Sequence, residues 1–277
     1  MKGRGVLLTL IATLWFTAAT LLIKSLGTDV PTVWTAFLRN ALALPALLLL
    51  LRSRGLSVSS PNQEKLILRA FWSVSAILFS FWALPRMPLA NASLLMQTSP
   101  LFTVLWGVFF FRERLSRFST ACVALAFGGV YATLHPSFDQ VALLPSLAAL
   151  AAGLLGSLSF ATLKSLTDEE PALRIVVYYT LVGTVLLAPW AFATGWAPSP
   201  AQLGVLAAIA LTATVGQLFL TLGVEHTQVS RAGAASVLCL VLNVLGGWVF
   251  WNETPDLWTS VGCLSVAAGI AGLAQEL

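Results

Sequence analysis

The sequence predicts an all-α integral membrane protein with ten transmembrane helices, arranged as two inverted five-helix repeats. The first observation is composition: 58% of the 277 residues are hydrophobic and 9% are charged, whereas soluble domains carry about 25% charged residues. The second is that apolar runs of membrane-spanning length fill nearly the whole chain, since about 20 helical residues cross a hydrocarbon core of about 30 Å. The third is a self-match between the two halves.

The apolar runs end at charged residues, prolines or turn residues, and these ends set the predicted spans. The run after Lys2 and Arg4 resembles a signal peptide. Because no small-x-small cleavage site follows it, we interpret it as an uncleaved first helix. Only segment 52–68 is long enough to form a sizeable loop, so no soluble domain is expected. The predicted spans are 5–24, 32–51, 69–84, 89–111, 117–134, 143–164, 173–194, 201–222, 229–250 and 257–275.

Basic residues give the orientation, because Lys and Arg accumulate in cytoplasmic loops. With the N-terminus inside, twelve Lys and Arg residues lie on the cytoplasmic side and only Lys24 and Arg86 lie outside. This predicts a multi-pass protein of the cell inner (plasma) membrane with cytoplasmic N- and C-termini. The basic residues are scattered singly and form no basic stripe, so nucleic acid is not an expected partner despite the formal charge of +4.

A shift of 140 residues lays 89–113 on 229–253 with six identities. Apolar sequences match each other by chance, so the identities only suggest a repeat. The shift also divides the chain into 1–136 and 137–277, each with five spans. Because five is odd, the halves must be inverted relative to each other, as in many alternating-access transporters. Matched pairs include Glu113 with Glu253, Lys24 with Lys164 and Gly129 with Gly269.

A motif in the fourth span carries a family resemblance. Residues 90–114 read ANASLLMQTSPLFTVLWGVFFFRER, and the SP-L-F…F-x-E-R-L pattern is similar to the fourth helix of the drug/metabolite transporter superfamily, in its EamA-like branch. The second copy, ending at Glu253, lacks the proline and has Thr254 in place of Arg114. The resemblance covers essentially the whole chain. It implies two inverted five-helix repeats and transport of amino acids, metabolites or drugs, with aromatic amino acid exporters most similar in length and aromatic content.

Acidic residues and histidines are missing from the predicted membrane interior. All eleven Asp and Glu residues fall at span ends or in loops, and neither His135 nor His226 lies mid-membrane. This favours gradient-driven export over proton antiport, which stays open as an alternative. It also leaves no catalytic constellation. We therefore expect no enzyme and no cofactor, although a structural role stays open. The cysteines, Cys122, Cys239 and Cys263, lie in apolar runs without metal-ligand spacing, so no metal site is expected.

Polar residues inside spans are candidates for substrate binding, because burying them in hydrocarbon is costly. On span 9, Ser236 and Asn243 share a face with small residues, so helix packing is the alternative interpretation. On span 4, Gln97 precedes Pro100, which should kink the helix. The 140-residue shift instead points a second face inward, formed by Met96, Ser99 and Thr103.

Arg39 is the one basic residue placed inside a span. It either snorkels to the outer headgroups or attracts a solute carboxylate. Aromatic residues deep in spans 1 and 3 suit stacking on a solute, whereas Tyr178 and Tyr179 are interpreted as interface anchors. The expected partners are a small-molecule substrate and the lipid bilayer, with a monomer as the simplest assembly. The candidate substrate contacts are Trp15, Phe16, Arg39, Phe79, Ser80, Gln97, Pro100, Ser157, Phe160, Gln217, Ser236 and Asn243.

Overall fold

A computed structural model describes residues 2–102, 105–106, 116–134, 140–226 and 229–276, and all regular secondary structure in these ranges is helical. A single 3-10 turn at Leu84–Arg86 precedes the fourth helix. The α-helices are α1 Lys2–Ser25, α2 Thr32–Ser53, α3 Gln63–Ala83, α4 Leu89–Met96, α5 Arg117–Leu134, α6 Gln140–Thr167, α7 Ala172–Ala193, α8 Pro200–His226, α9 Val229–Trp251 and α10 Leu257–Glu276.

Within the described residues, six segments are long and apolar enough to cross a membrane. The shorter apolar helices are Arg117–Ala132, Leu238–Trp251 and Leu257–Leu273. The all-helical prediction is confirmed for the described part of the chain, while ten crossings and their inverted arrangement stay predictions. The six segments are Gly5–Ser25, Thr32–Ser53, Gln63–Arg86, Leu143–Thr167, Ala172–Ala193 and Pro200–His226.

The fourth predicted span is interrupted. Helix α4 ends at Met96, residues 97–98 form a turn, and helical backbone resumes at 99–102. Pro100 lacks a backbone N–H, so it cannot donate to the carbonyl of Met96 and continue the ladder. The break lies just before the proline, and further along this span residues 103–104 and 107–115 are outside the described part of the chain.

Neighbouring helices form a closed ring in the order α1, α8, α2, α7, α3, α6, α4, α9 and back to α1. Helices α5 and α10 pack on each other and lie beside α4 and α9. The 140-residue shift matches α1 with α6, α2 with α7 and α3 with α8. The helix contacts follow this correspondence, because α1 packs on α8 and its counterpart α6 packs on α3. In the same way, α2 packs on α8 and its counterpart α7 packs on α3.

The pair α5 and α10 crosses at two glycines that the same shift relates. A Cβ on Gly129 of α5 would lie 2.8 Å from the carbonyl oxygen of Gly262, and one on Gly269 of α10 would lie 2.6 Å from that of Cys122. Both distances are too short for carbon against backbone oxygen. The two backbones therefore touch only because side chains are missing at both positions, as in other small-residue helix contacts in membranes.

Replacing Gly269 by Leu should force α5 and α10 apart and destabilise the protein by about 2–3 kcal/mol, the upper part of the range for overpacked cores. Thermal unfolding of the detergent-solubilised protein measures the effect. Gly128→Leu is the matched control, since a Cβ at Gly128 meets nothing within 4 Å. Equal melting temperatures for the two variants would show that the crossing is not a close contact.

Candidate functional site

Helices α1 and α9 present a buried polar cluster made of Thr17, Cys239 and Asn243. The Asn243 amide nitrogen donates to the Cys239 sulfur at 3.5 Å, and the Thr17 hydroxyl lies 3.6 Å from the same sulfur. Asn243 is 3% exposed, yet its carbonyl oxygen Oδ1 has no hydrogen-bond partner within the described ranges. A buried amide oxygen without a donor is costly. A substrate N–H or O–H is one group able to satisfy it.

The break in α4 packs against two glycines of α6. A Cβ on Gly153 would lie 3.0 Å from the carbonyl oxygen of Leu95, and one on Gly156 would lie 3.6 Å from the Ser99 hydroxyl. Gln97 occupies the turn itself and is half-buried. Close by on α6, the fully buried Ser157 accepts a hydrogen bond from the Trp106 indole at 2.8 Å. Small residues on α6 thus allow the irregular, polar backbone of α4 to pack closely against α6.

Two arginines lie buried among α2, α3 and α7. Arg39 is 4% exposed and Arg69 is 2% exposed. The Arg39 guanidinium donates a hydrogen bond to the Tyr179 hydroxyl, and the guanidinium carbons of Arg39 and Arg69 lie 5.2 and 5.4 Å from the centroid of the Tyr179 ring. The face of a tyrosine ring attracts cations. One ring therefore holds two positive charges in the protein interior.

This geometry changes three sequence-based interpretations. Arg39 turns inward to Tyr179 and does not snorkel to the headgroups. The interface-anchor interpretation of Tyr178 and Tyr179 is wrong, because both residues are buried. Arg69 was placed at a membrane boundary, but α3 begins at Gln63 and carries Arg69 well inside the helix. The signal that identifies its face is Ser73, one turn later, which is buried and hydrogen-bonded to Ser159 of α6.

The remaining predicted contacts are dispersed over the bundle. Phe16 touches α8, where a Cβ on Gly216 would lie 3.1 Å from its ring. Phe79 is 44% exposed and shares a face of α3 with the exposed Phe71, away from Arg69. Trp15, Ser80, Pro100, Phe160 and Gln217 are half-buried, the Ser80 hydroxyl bonds its own helix at Ala76, and the Gln217 amide bonds Thr221 at 3.3 Å. Ser236 lies on α9, but its side chain, like all of Thr103 and Glu113, is outside the described residues.

One end of the ring carries an ion pair that the sequence analysis did not place at a site. Lys24, near the end of α1, pairs with Glu253, which follows α9, and also donates to the carbonyl of Met87 at 3.1 Å. The second oxygen of Glu253 accepts the backbone N–H of Leu89 at 2.8 Å, at the positive start of α4. Only 7% of the Lys24 side chain is exposed. The pair therefore joins α1, α4 and α9 in a largely dehydrated contact.

Lys164, the counterpart of Lys24 under the 140-residue shift, lies at the opposite end of the ring. It donates to the carbonyl of Val224, near the end of α8, at 3.4 Å. Helix α8 runs antiparallel to α1 and brings Gly223 against Thr9, near the beginning of α1. Lys24 lies near the other end of α1, so the two related lysines make contacts at opposite ends of the bundle.

A second polar network at the Lys164 end surrounds Glu170, between α6 and α7. One carboxylate oxygen accepts hydrogen bonds from the Ser60 hydroxyl and the Asn62 amide, and the other accepts from Arg174 at 2.6 Å. Burial raises the pKa of this carboxyl, but the three hydrogen bonds and the charge of Arg174 outweigh burial and lower it below its usual value. The network fixes the α2–α3 loop to the start of α7.

The apolar helices are those of a multi-pass membrane protein, and its buried polar clusters are candidates for a solute site. The model of the EamA-like transporter family matches residues 3–134 and again residues 143–275. The chain belongs to the EamA-like transporter family, and the resemblance seen in residues 90–114 is confirmed. It is accordingly a multi-pass membrane transporter or exporter of small solutes.

Similar proteins carry out different transport tasks. The pseudopaline exporter of Pseudomonas aeruginosa is 26% identical over 273 residues, covering 98% of this chain and 96% of that protein. A riboflavin transporter of Rhizobium johnstonii is 34% identical over 191 residues, covering 67% and 62%. An S-adenosylmethionine uptake transporter of Rickettsia conorii is 23% identical, covering 88% and 83%. A crystal structure with 20% identity and a TM-score of 0.74 spans 100% of this chain and 99% of its own, which shows the shared fold.

Proposed function

We propose that the protein exports small organic solutes, with aromatic and other large neutral amino acids as the first candidates, by alternating access to one interior site. The observation that carries the proposal is the pair of related contacts made by Lys24 and Lys164 at opposite ends of the helix ring. Alternating access needs one closure at each end, and repeats related by inversion supply two equivalent closures. The exchanged helix contacts and the two family matches, which begin 140 residues apart, support an inverted repeat of 1–136 and 137–277.

The distribution of acidic groups supports transport without proton coupling. In the described ranges, every Asp and Glu lies between helices or in the first or last turn of a helix. A proton-coupled carrier needs a titratable group that both sides of the membrane reach in turn. We therefore assign the driving force to the gradient of the solute itself.

The basic residues at the two ends of the helix ring support the predicted orientation in the membrane. Arg52, Lys65 and Arg174 lie at the end that contains Lys164 and Glu170, whereas Lys24 and Arg86 lie at the other. By the distribution of positive charges, the first end faces the cytoplasm of an inner membrane and both termini lie on that side.

The proposal is tested with purified protein in liposomes, without any imposed proton gradient. Counterflow of labelled amino acids is measured against nucleosides and cationic drugs. Movement of phenylalanine, tryptophan or leucine is the expected result. Counterflow of none of the solutes until a proton gradient is applied would contradict the uncoupled mechanism and favour an antiporter.

Truncating the polar side chains of the site should slow this counterflow. Gln97→Ala and Asn243→Ala should each lower the rate roughly tenfold, the effect of losing a substrate hydrogen bond worth about 1.4 kcal/mol. Ser165→Ala is the control, because that hydroxyl is exposed and bonds only its own helix at Thr162. Membrane insertion is checked by quantifying protein in the liposomes. Full transport by both variants would remove α4 and α9 from the site.

A further inference from the structure

Arg39 and Arg69 are buried without a counter-charge from any described residue, which a purely structural role does not explain. In the part of the chain that the structure describes, the ion pairs belong to Lys24, Lys65 and Arg174, and neither buried arginine has a carboxylate within ion-pairing distance. Their shared neighbour, Tyr179, is a neutral phenol. Two like charges facing one ring in a low-dielectric interior repel each other and lack the counter-charge that makes such burial tolerable.

Both side chains also keep unused hydrogen-bond donors. Nε of Arg39, Nε of Arg69 and Nη1 of Arg69 are buried and have no hydrogen-bond partner among the residues that the structure describes. Buried guanidinium N–H groups are normally satisfied, and each one left unmade is costly. The Tyr179 hydroxyl accepts from Arg39 and can still donate its own proton. The cluster thus offers positive charge and several N–H and O–H donors, and it offers no acceptor of its own besides that hydroxyl.

We propose that Arg39, Arg69 and Tyr179 form the anion-binding part of the transport site and take a carboxylate of the substrate. A carboxylate has two oxygens that together accept about four hydrogen bonds, which matches the three free arginine donors and the phenol. Its charge offsets the repulsion between the two guanidinium groups. This assignment rests on the proposed transport function and adds to it the substrate class: solutes with a carboxylate, and not their amides or esters.

Each of the three side chains comes from a different helix of the ring. Arg39 is on α2, Arg69 on α3 and Tyr179 on α7, and α7 packs on both α2 and α3. A Cβ on Gly183, one turn after Tyr179, would lie 2.7 Å from the Asn40 amide nitrogen and 3.3 Å from Val74. Because α7 approaches both neighbours this closely, a bound anion would tie three helices of the ring together. Binding is therefore expected to stabilise the protein.

The binding test uses matched probes on the purified protein. N-acetylphenylalanine should raise the melting temperature of the wild type, and N-acetylphenylalaninamide, which has the same ring and acetyl group and no carboxylate, should not. Benzoate and benzamide provide a second matched pair, and inorganic phosphate tests whether any anion suffices. No carboxylate-specific shift on the wild type, or an equal shift by phosphate, would overturn the assignment without reference to any variant.

Variants test the residues. Arg39→Gln and Arg69→Gln should each weaken N-acetylphenylalanine binding at least tenfold, and Tyr179→Phe about threefold. Without ligand, neither Gln variant should lower the melting temperature, since removing one of two like charges relieves repulsion. Lys65→Gln, at an exposed ion pair, is the control with unchanged binding. A lower ligand-free melting temperature together with unchanged binding would identify both arginines as structural and overturn the proposal.

The experiments can contradict the anion site and amino acid transport independently of each other. If the wild type binds N-acetylphenylalanine through the arginines but no amino acid undergoes counterflow, the anion site stands and amino acid transport is wrong. If amino acids are transported equally well by Arg39→Gln, Arg69→Gln and the wild type, transport stands and the anion site is wrong.

Discussion

Reversing either charge of the Lys24 and Glu253 pair should reduce transport at least tenfold, and reversing both charges should restore a large part of it. In Lys24→Glu or Glu253→Lys, two like charges face each other in a contact where the lysine side chain is only 7% exposed. Repulsion at such a site disfavours the closed arrangement of α1, α4 and α9. A carrier that cannot close one end cannot complete an alternating-access cycle, so counterflow is the measurement.

Recovery in the double variant should be incomplete, for a structural reason. Glu253 also accepts the N–H of Leu89, and Lys24 also donates to the carbonyl of Met87. The swapped pair regains its Coulomb attraction but loses both backbone hydrogen bonds. We expect a coupling free energy of about 1–2 kcal/mol in the double-mutant cycle.

Lys65→Glu is the matched control for this cycle. Lys65 pairs with Glu169 at 2.8 Å, but the two side chains are 52% and 41% exposed. Exposed ion pairs contribute little, so this variant should transport within twofold of the wild type. Full activity of Lys24→Glu would show that closure at this end does not depend on the pair.

The sequence predicts the helices well but not where they end. The spans 32–51 and 143–164 are observed as Thr32–Ser53 and Gln140–Thr167. Hydrophobicity marks the residues suited to hydrocarbon, whereas helical hydrogen bonding continues into the polar ends of each segment. The interruption of α4 shows a different limit. Pro100 predicts a distortion of the span, and the turn at residues 97–98 lies just before it, but the close packing of α6 against this turn was not predicted.

The arginine cluster shows that the depth of a residue along a span does not tell which face of the helix it lies on. Arg39 was noticed because a charge inside a span is costly, whereas Arg69 lay at the predicted start of span 3 and looked like a boundary residue. Helical periodicity carries the missing information. Arg69 and Ser73 are four residues apart on the buried face of α3, while Phe71 and Phe79 are on the exposed face. Phe79 was proposed for its depth alone, and depth does not specify the face of a helix.

Contacts between distant segments could not be predicted in the same way. The Tyr179 ring meets Arg39 and Arg69 from 140 and 110 residues away. Apolar helices of similar length are nearly interchangeable by composition, so the sequence of one chain does not specify which helices become neighbours. The 140-residue shift alone indicated which helices could be neighbours, through matched pairs such as Gly129 and Gly269.

Glu170→Gln should lower the melting temperature on the order of 5–10 °C, which corresponds to about 2–3 kcal/mol for a chain of this size. The carboxylate is 1% exposed and bonded by Ser60, Asn62 and Arg174. The substitution removes the charge that offsets Arg174 and turns an acceptor oxygen into a donor nitrogen, which faces donors. Glu169→Gln, at the adjacent but exposed position, is the control and should melt within about 1 °C of the wild type.

The same carboxylate should make stability depend on pH in acid. Its pKa in the folded protein is lower than its usual value of 4.5, because the hydrogen bonds and Arg174 outweigh burial. Protons therefore bind more readily to the unfolded chain than to the folded one. The stabilisation is fully present above about pH 4.5 and is lost as pH falls through the lower folded pKa. Since Glu170→Gln has no such proton to bind, the difference in melting temperature between the two proteins should be nearly constant from pH 6 to about pH 5 and shrink as pH falls further. A difference that stays constant down to about pH 3 would show that the charge of Glu170 does not stabilise the fold.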